Sequence, residues 1–287
     1  MARSLLIIAA LLGSTLAMAQ NAPPAIKSTE IVPGIYMLAG AGGNITLLVG
    51  DEYIVLIDDG VNPVAKLMID KAAEIAGRPV DFLINTHLHG DHVGANAAFA
   101  ETGAMIVAHD NVRKRLAIDP SPAGGPAGLP VMTFSDAVTF HVNDHDAFVF
   151  HVAAAHTDGD AVIHFRDINV IHAADVFFNN LFPFIDLDNG GSVAGFLAAQ
   201  RRLVALADAD TIIIPGHGPL ANAADLQTAI DMLVDARARV AALVSEGKTE
   251  AEILAENPLS IYHEQWNWNF ITTERMTRTL YRSLTSD

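Results

Sequence analysis

Three histidines and one aspartate lie close together in the stretch "NTHLHGDHVG", residues 85–94. His87, His89 and His92 offer imidazole nitrogens and Asp91 offers a carboxylate, and these are groups that bind divalent transition metals. The chain contains no cysteine, so any metal must be held by His, Asp or Glu. That ligand set suits zinc and also manganese or iron. The stretch therefore predicts part of a metal site, and its remaining ligands must come from elsewhere in the chain.

Further candidate ligands follow apolar runs that predict β-strands. His156 comes after "AFVFHVAAA", Asp175 after "INVIH" and His217 after "TIIIP", while the histidine-rich stretch itself follows "VDFLIN". In sheets that are covered by helices, sites form beyond the carboxyl ends of the strands, where the loops converge. Four strands deliver His or Asp to such a position, so we expect these side chains to meet in one site.

The rest of the chain alternates between strand and helix patterns. Strands are predicted at "GIYMLAG", "NITLLVG", "YIVLIDDG" and "AMIVAH", and helices over residues 62–76 and 192–207. Residues 20–29 are predicted to be a polar lead-in, and the Pro- and Gly-rich residues 119–130 a surface loop. From about residue 222 the pattern is helical, with a capping box formed by Thr249 and Glu252. We predict a single domain over residues 20–287 that ends in this helical segment.

Composition limits the classes of partner and the cellular location. The 287 residues are 51% hydrophobic with a formal charge of −16, which allows a sizeable core and argues against nucleic acid as a partner. A basic residue, an apolar run and a small-residue A-x-A site that ends at Ala19 are typical of a secretory signal peptide over residues 1–19. The apolar run is shorter than the roughly 20 residues of a membrane-spanning helix. We therefore expect cleavage after Ala19, no membrane span, and a periplasmic or secreted protein.

These motifs resemble those of a known family. "THLHGDH" is similar to the H-x-H-x-D-H signature of the metallo-β-lactamase-fold hydrolases, and "AAHTDGD", "HAAD" and "PGHG" resemble its later motifs in order, over roughly residues 30–220. The resemblance implies an α/β fold, a four-layer αββα sandwich with the site along one edge. It implies that a first metal is held by His87, His89 and His156, a second by Asp91, His92 and His217, and that Asp175 bridges the two.

The resemblance also implies a reaction. Two Zn²⁺ ions, or Mn²⁺ or Fe, would use a metal-bound hydroxide to cleave a lactam, lactone, ester or thioester bond of a small-molecule substrate. Asp91 and Asp175 are the predicted catalytic carboxylates, since Asp91 could steer a proton to the leaving group. Asp58, in "LIDDG", is predicted to orient the histidine loop from behind the metals. The alternative for Asp58 is a turn-capping aspartate with no such role.

Three further functions stay open at this point. His92 directly after Asp91 resembles the β-lactamase subclass without a cysteine ligand, which favours a dedicated class B β-lactamase. Asp175 as a bridging carboxylate instead resembles thioesterases and lactonases, and the lysine with which many lactamases grip their substrate has no obvious counterpart. The same ligands could also belong to an iron-dependent sulfur dioxygenase or to a non-catalytic zinc-binding protein.

Residues that would contact the substrate are less sharply marked. Asn179 and Asn180 are candidate substrate-binding residues that would donate to an oxyanion, although asparagine is also common in turns. Six aromatic residues either wall an apolar pocket or belong to the core: Phe177, Phe178, Phe182, Phe184, Trp266 and Trp268. The remaining histidines lack motifs and are predicted not to bind metal: His109, His141, His145, His151, His164, His172 and His263.

Overall fold

Two β-sheets packed face to face form the centre of the computed structural model, which describes residues 25–285. The first sheet has its strands in chain order, β1 to β4 antiparallel and β4 to β7 parallel. Its strands are β1 (Lys27–Val32), β2 (Ile35–Ala39), β3 (Ile45–Val49), β4 (Ile54–Ile57), β5 (Phe82–Asn85), β6 (Met105–His109) and β7 (Met132–Phe134).

The second sheet has the order β12-β11-β10-β9-β8, antiparallel from β8 to β11, and β12 runs parallel to β11. Its strands are β8 (Ala137–Val142), β9 (His145–His151), β10 (Ala161–Phe165), β11 (Val170–Phe178) and β12 (Ile212–His217). Parallel neighbours in both sheets end at the same edge, which is where ligands carried on different strands can meet.

Helices cover the outer face of each sheet. They are α1 (Ala65–Ala76), α2 (Asn96–Glu101), α3 (Asp110–Ile118), α4 (Val193–Leu206), α5 (Ala223–Ser245), α6 (Glu250–Glu256), α7 (His263–Trp266) and α8 (Thr273–Thr285). Met68 of α1 and Phe99 of α2 pack against the first sheet, and Phe196 of α4 against the second. A separate cluster that includes Ile84 and Ile163 fills the space between the sheets. The predicted αββα sandwich is confirmed.

The C-terminal helices start where the capping signals place them. The Asn222 side chain and Asp225 form a capping box at the start of α5, and Thr249 with Glu252 forms another at the start of α6. Apolar side chains of α5, α6 and α8 share one buried cluster with α4 and the outer face of β11. This shared core is consistent with the prediction of a single domain, which stays a prediction.

One local prediction was wrong, and the predicted surface loop contains short turns. Part of the predicted polar lead-in forms β1, whose half-exposed residues pair with β2 at the edge of the sheet. An edge strand gains its backbone hydrogen bonds without an apolar face, so hydrophobic alternation could not reveal it. The Pro- and Gly-rich loop contains two single 3₁₀ turns, at Ser121–Ala123 and Pro126–Gly128, since proline is tolerated at the first position of such a turn.

The predicted signal peptide lies outside the described residues. Within residues 25–285, none of the helices combines the length and the apolar character that a membrane crossing requires.

Candidate metal centre

The structure brings all seven predicted ligands together at one edge of the sandwich. Ligand atoms of His87, His89, His156 and Asp175 lie within 4.8 Å of one another, and so do those of the group Asp91, His92 and His217. The loop after β5 supplies four of the seven, the β9–β10 connection supplies His156, and β11 and β12 supply Asp175 and His217. The two groups correspond to the two metal sites that the sequence motifs predicted.

Asp175 lies between the two groups, with one oxygen towards each. Its Oδ2 is 3.4 Å from Nε2 of His156 and 3.8 Å from Nε2 of His87. Its Oδ1 is 3.1 Å from Nε2 of His92 and 3.5 Å from Nε2 of His217. A carboxylate in this position can bind two cations at once, as a bridging ligand does.

The expectation that each ligand follows its strand was wrong for two of them. Asp175 lies inside β11, which runs to Phe178 because the whole segment is buried, and His217 is the last residue of β12. The register between β11 and β12 shifts on either side of Ala174, whose φ is +47°. We infer that this β-bulge turns Asp175 out of the regular ladder, because a bulge re-aims the side chain beside it.

Close packing of Gly216 against Asp175 leads to a testable prediction. A Cβ at residue 216 would lie 2.0 Å from Oδ1 of Asp175 and 2.6 Å from the backbone of β11. We expect Gly216→Ala to displace the carboxylate and to weaken metal binding at least tenfold, which a competition titration with a metal chelator measures. The matched control is Gly247→Ala. A Cβ at residue 247 would meet nothing within 4 Å, although this residue has a positive φ of 79°. Equal metal affinity in both variants would contradict this reading of the packing.

Three buried polar atoms at the site lack a hydrogen-bond partner: Nε2 of His87, Nε2 of His92 and Oδ1 of Asp175. The Nδ1 atoms of two histidines at the site are held in place by neighbouring groups. Nδ1 of His87 contacts Oγ1 of Thr86 at 3.0 Å, and Nδ1 of His156 contacts the Phe184 carbonyl oxygen at 2.7 Å. Unpaired buried polar atoms are costly, and atoms that converge in this way are expected where a cation binds. With their Nε2 atoms facing inward, these residues fit a pair of divalent metal ions.

Burial and neighbouring charges shift the pKa values of the histidines and carboxylates at the site. Burial lowers the pKa of His87 well below its usual value and that of His156 to about 4. Burial would also lower the pKa of His217, but the carboxylates of Asp175 and Asp91 raise it to about 9. The imidazoles near Asp175 outweigh its burial and hold its pKa well below the usual value. The carboxylates are therefore ionised, and ionised carboxylates are the form that binds metal.

Asp58 lies behind the histidine loop and is fully buried. It accepts hydrogen bonds from the backbone N–H of Thr86 at 2.8 Å, the Thr86 hydroxyl at 2.7 Å and Nδ1 of His92 at 2.7 Å. Its φ of +62° is unusual for a non-glycine residue, although aspartate tolerates it better than most. The contacts support the predicted role of Asp58 in orienting the loop.

Asp186 holds His89 and is a residue that the sequence reasoning missed. Its Oδ2 is 2.9 Å from Nε2 of His89, whose Nδ1 is 2.8 Å from Nε2 of His156. The same oxygen accepts from the Asn189 side chain at 2.7 Å, and the backbone N–H of Asp186 donates to the His156 carbonyl. No spacing marked Asp186, because it meets His89 only through the fold; its sequence surroundings indicated no more than a turn.

We expect Asp186→Ala to release the His89 ring and to weaken metal binding in the first group about 10- to 100-fold, as loss of such supporting carboxylates does. Metal stoichiometry by elemental analysis, with a chelator titration, measures the effect. Asp188→Ala is the matched control, because this exposed neighbour pairs with Arg282 at the surface. If both variants retain metal equally well, Asp186 does not support the site.

A pocket of about 340 Å³ opens over the ligands. His89, Asp91, Asp175 and His217 form its polar end, and its walls are Phe178, Phe184, Trp268 and Phe270. Of the six aromatic residues considered from sequence, three therefore line the pocket. Phe177, Phe182 and Trp266 belong to the core instead, and Phe270, which the sequence reasoning missed, completes the wall.

Asn179 and Asn180 are not brought to this pocket. The Asn179 amide donates to the carbonyl oxygens of Pro219 and Leu220, at 3.1 Å and 3.4 Å, so both of its N–H groups are engaged with the backbone. Asn180 has a φ of +58° and accepts from Gln265 at the surface. Both positions correspond to the alternative of turn residues, and neither contact supports a role as oxyanion donor.

The histidines outside the motifs join neither metal group in the described part of the chain. His172 comes nearest, with Nε2 3.8 Å from Oδ2 of Asp58 and Nδ1 2.9 Å from the Thr46 hydroxyl. It packs beneath the site rather than inside it.

Comparison with known proteins places this architecture in a family. The sequence model of the Metallo-beta-lactamase superfamily matches residues 39–217. A hydroxyacylglutathione hydrolase from a Polaromonas species is 29% identical over 154 residues, which are 52% of this chain and 53% of that protein. The alpha subunit of a 2,4-dinitroanisole O-demethylase from a Nocardioides species is 25% identical over 171 residues, 58% of this chain and 50% of that protein. The chain spans about half the length of these curated relatives.

Solved structures share the fold. A metallo-beta-lactamase from Pontibacter korlensis superposes with a TM-score of 0.65 at 18% identity, over 73% of this chain and 99% of that one. A double mutant of the sec-alkyl sulfatase PisA1 superposes with a TM-score of 0.69 at 17% identity, over 91% of this chain and 50% of that one. These identities are too low to carry more than the fold.

The chain belongs to the metallo-beta-lactamase superfamily. The family that the sequence motifs predicted is therefore confirmed.

Proposed function

We propose that the protein is an exported dinuclear metal hydrolase that cleaves a thioester, ester, lactone or lactam bond in a small molecule. The observation that carries the proposal is the position of Asp175, with one oxygen towards each of two histidine groups whose free nitrogens converge. His87, His89 and His156 would hold one metal ion, and Asp91, His92 and His217 the other. Zinc is the metal that this His and Asp set suits best, with manganese and iron as alternatives.

When bound, such a metal pair supplies Lewis acidity, which activates water and polarises the oxygen of the scissile bond. The residues of this chain do the rest. Asp58 and the Phe184 carbonyl hold His92 and His156 with Nε2 turned inward. Asp91 is the ligand best placed to pass a proton to the leaving group, because its side chain is one-third exposed to the pocket while that of Asp175 is 5% exposed.

The aromatic walls favour an apolar acyl or leaving group beside the scissile bond, since four rings line the pocket and water is displaced from them. The similarity to a protein named hydroxyacylglutathione hydrolase supports thioesters as the first substrates to test. A dedicated β-lactamase has weaker support: the metallo-beta-lactamase neighbour shares only the fold, and no lysine lines the pocket among the described residues.

The test is a substrate panel on the purified full-length protein, with metal content measured in parallel. An aryl thioester, an aryl ester, an aliphatic lactone and a chromogenic cephalosporin are each assayed with zinc, manganese or iron. His87→Ala is the inactive control, and His263→Ala, on α7 and outside the metal groups, is the matched one. Turnover that requires metal and His87 but not His263 is the expected result.

Each remaining function gives a different pattern of outcomes. Fast turnover of the cephalosporin alone would make the protein a β-lactamase. Two bound iron ions with oxygen consumption on a thiol or persulfide, and no hydrolysis, would indicate a dioxygenase. Tight zinc binding without turnover of any substrate would indicate a non-catalytic zinc-binding protein. Cell fractionation tests the export of the protein, and the mass of its N-terminus tests cleavage after Ala19.

A further inference from the structure

We propose that Arg275 binds an anionic group of the substrate at the rim of the metal pocket. This deepens the proposed function, on which it rests, because it names the substrate class: a compound with an apolar segment and a carboxylate or similar anion at the end away from the scissile bond. Two observations carry it, the position of this one arginine of α8 and the charges around it.

Arg275 lies over two aromatic walls of the pocket. Its Cζ is 4.3 Å from the ring centroid of Phe270 and 5.0 Å from that of Phe184. Both rings line the pocket above the metal ligands. One guanidinium nitrogen, Nη1, donates to the Phe270 carbonyl oxygen at 2.9 Å, which fixes the plane of the group and uses one of its five N–H donors.

Neighbouring arginines on α8 are neutralised, whereas Arg275 is not. Arg278 pairs with Glu250 and Glu274, and Arg282 pairs with Asp188. Among residues 25–285, no carboxylate oxygen lies within 4.0 Å of the Arg275 guanidinium. In a chain of formal charge −16, Arg275 thus carries a charge without a carboxylate partner beside two rings that line the metal pocket.

Arg275 lines a cavity of about 430 Å³ that adjoins the metal pocket and shares Phe184 with it. The acidic groups that line this cavity are engaged: Asp188 and Glu250 with arginines, and Asp186 with His89. A substrate anion that reaches over the aromatic rim therefore meets Arg275 as the one lining cation, in the described residues, without a carboxylate partner.

The rings make this subsite effective. An arginine stacked on aromatic faces is partly shielded from water on that side, and its planar fork can still accept a carboxylate through two parallel hydrogen bonds. Trp268 connects this end to the metal ligands, because its ring centroid lies 5.6 Å from that of Phe270 and 5.8 Å from that of His217, on which Phe178 stacks at 5.1 Å. The arrangement selects a ligand whose reactive group and anion are separated by an apolar segment.

Binding of two matched probes tests the inference without turnover. Isothermal titration compares 4-phenylbutyrate with the neutral 4-phenylbutanamide on the zinc-loaded full-length protein. The variants are Arg275→Gln, Arg275→Lys and, as the matched control, Arg278→Gln. A charge-assisted pair corresponds to about a tenfold difference in Kd.

We expect the wild type to bind the carboxylate about tenfold more tightly than the amide, from the same charge-assisted contact. Arg275→Gln is expected to remove that preference while the Kd of the amide changes less than twofold. Arg275→Lys, which keeps the charge, is expected to retain most of the preference, and Arg278→Gln all of it.

Three results would overturn the inference. Equal affinity of the carboxylate for wild type and Arg275→Gln would show that the metal ions hold the anion. Equal weakening of both probes would show that Arg275 only braces the rings, and no binding of the carboxylate to the wild type at millimolar concentration would show that the subsite does not exist. Failure of the proposed function is seen separately, as absence of metal-dependent turnover of neutral substrates.

Discussion

Replacement of Asp175 by alanine is expected to abolish hydrolysis, with a fall in kcat/KM of about a thousandfold or more, because both metals lose a ligand at once. The side chain approaches four histidine nitrogens from the two groups, and among the described residues no other carboxylate lies within 4.0 Å of histidine nitrogens from both. Elemental analysis after dialysis is expected to show fewer than two metal ions per chain, whereas loss of an outer ligand removes one.

Asp70→Ala is the control for this change. Asp70 lies on the exposed face of α1 and pairs with Lys66, so its loss leaves the centre untouched. Circular dichroism establishes that the Asp175→Ala variant is folded, which separates loss of metal from loss of structure. A folded Asp175→Ala variant that keeps two metal ions and wild-type turnover would contradict the bridging role.

Asp58→Asn is expected to lower metal affinity in the second group about 10- to 100-fold, although the side chain keeps its size. The carboxylate accepts from Nδ1–H of His92, which leaves Nε2 as the nitrogen that faces the site and can bind a metal. An amide nitrogen in place of Oδ2 would donate to Nδ1 instead, and the imidazole would then carry its proton on Nε2, where a metal must bind. The change therefore selects the wrong tautomer of His92.

The adjacent carboxyl group gives a matched control. Asp59 is also fully buried, and burial raises its pKa well above the usual value, which favours its neutral form. Its Oδ1 accepts from the backbone N–H of Ala95 at 2.9 Å, a contact that asparagine preserves. We expect Asp59→Asn to bind metal as the wild type does, and a chelator titration of both variants to separate them. Equal behaviour of the two variants would refute the tautomer argument.

The ligand set could be predicted from the sequence because its signals are local. His87, His89, Asp91 and His92 follow one strand within six residues, so their proximity is fixed by the chain itself. The same holds for the capping boxes at α5 and α6, where each pair of partners is three residues apart. The motifs around His156, Asp175 and His217 occur in the order of the family's motifs and so predicted the remaining ligands. The resemblance to the family predicted the layers of the sandwich.

Contacts between distant parts of the chain could not be read in this way. Asp186 meets His89 across 97 residues. Phe270 and Arg275 meet Phe184 only because the start of α8 and the residues before it pack beside the loop that carries Phe184. From the sequence, Asn179 was a candidate to bind substrate, but in the structure its side-chain amide donates to the backbone of residues 219–220.

The amino-acid sequence was enough to predict which side chains could bind metal, because short spacings and strand ends leave few other roles for clustered histidines. The direction in which those side chains point, and the residues that surround them, follow from the fold. A bulge at Ala174 turns Asp175 towards both groups, and Asp186 and the Phe184 carbonyl fix two imidazole rings. Such contacts depend on how whole sheets and helices pack together. Packing between residues that are far apart in the chain produces no periodic pattern in the local sequence.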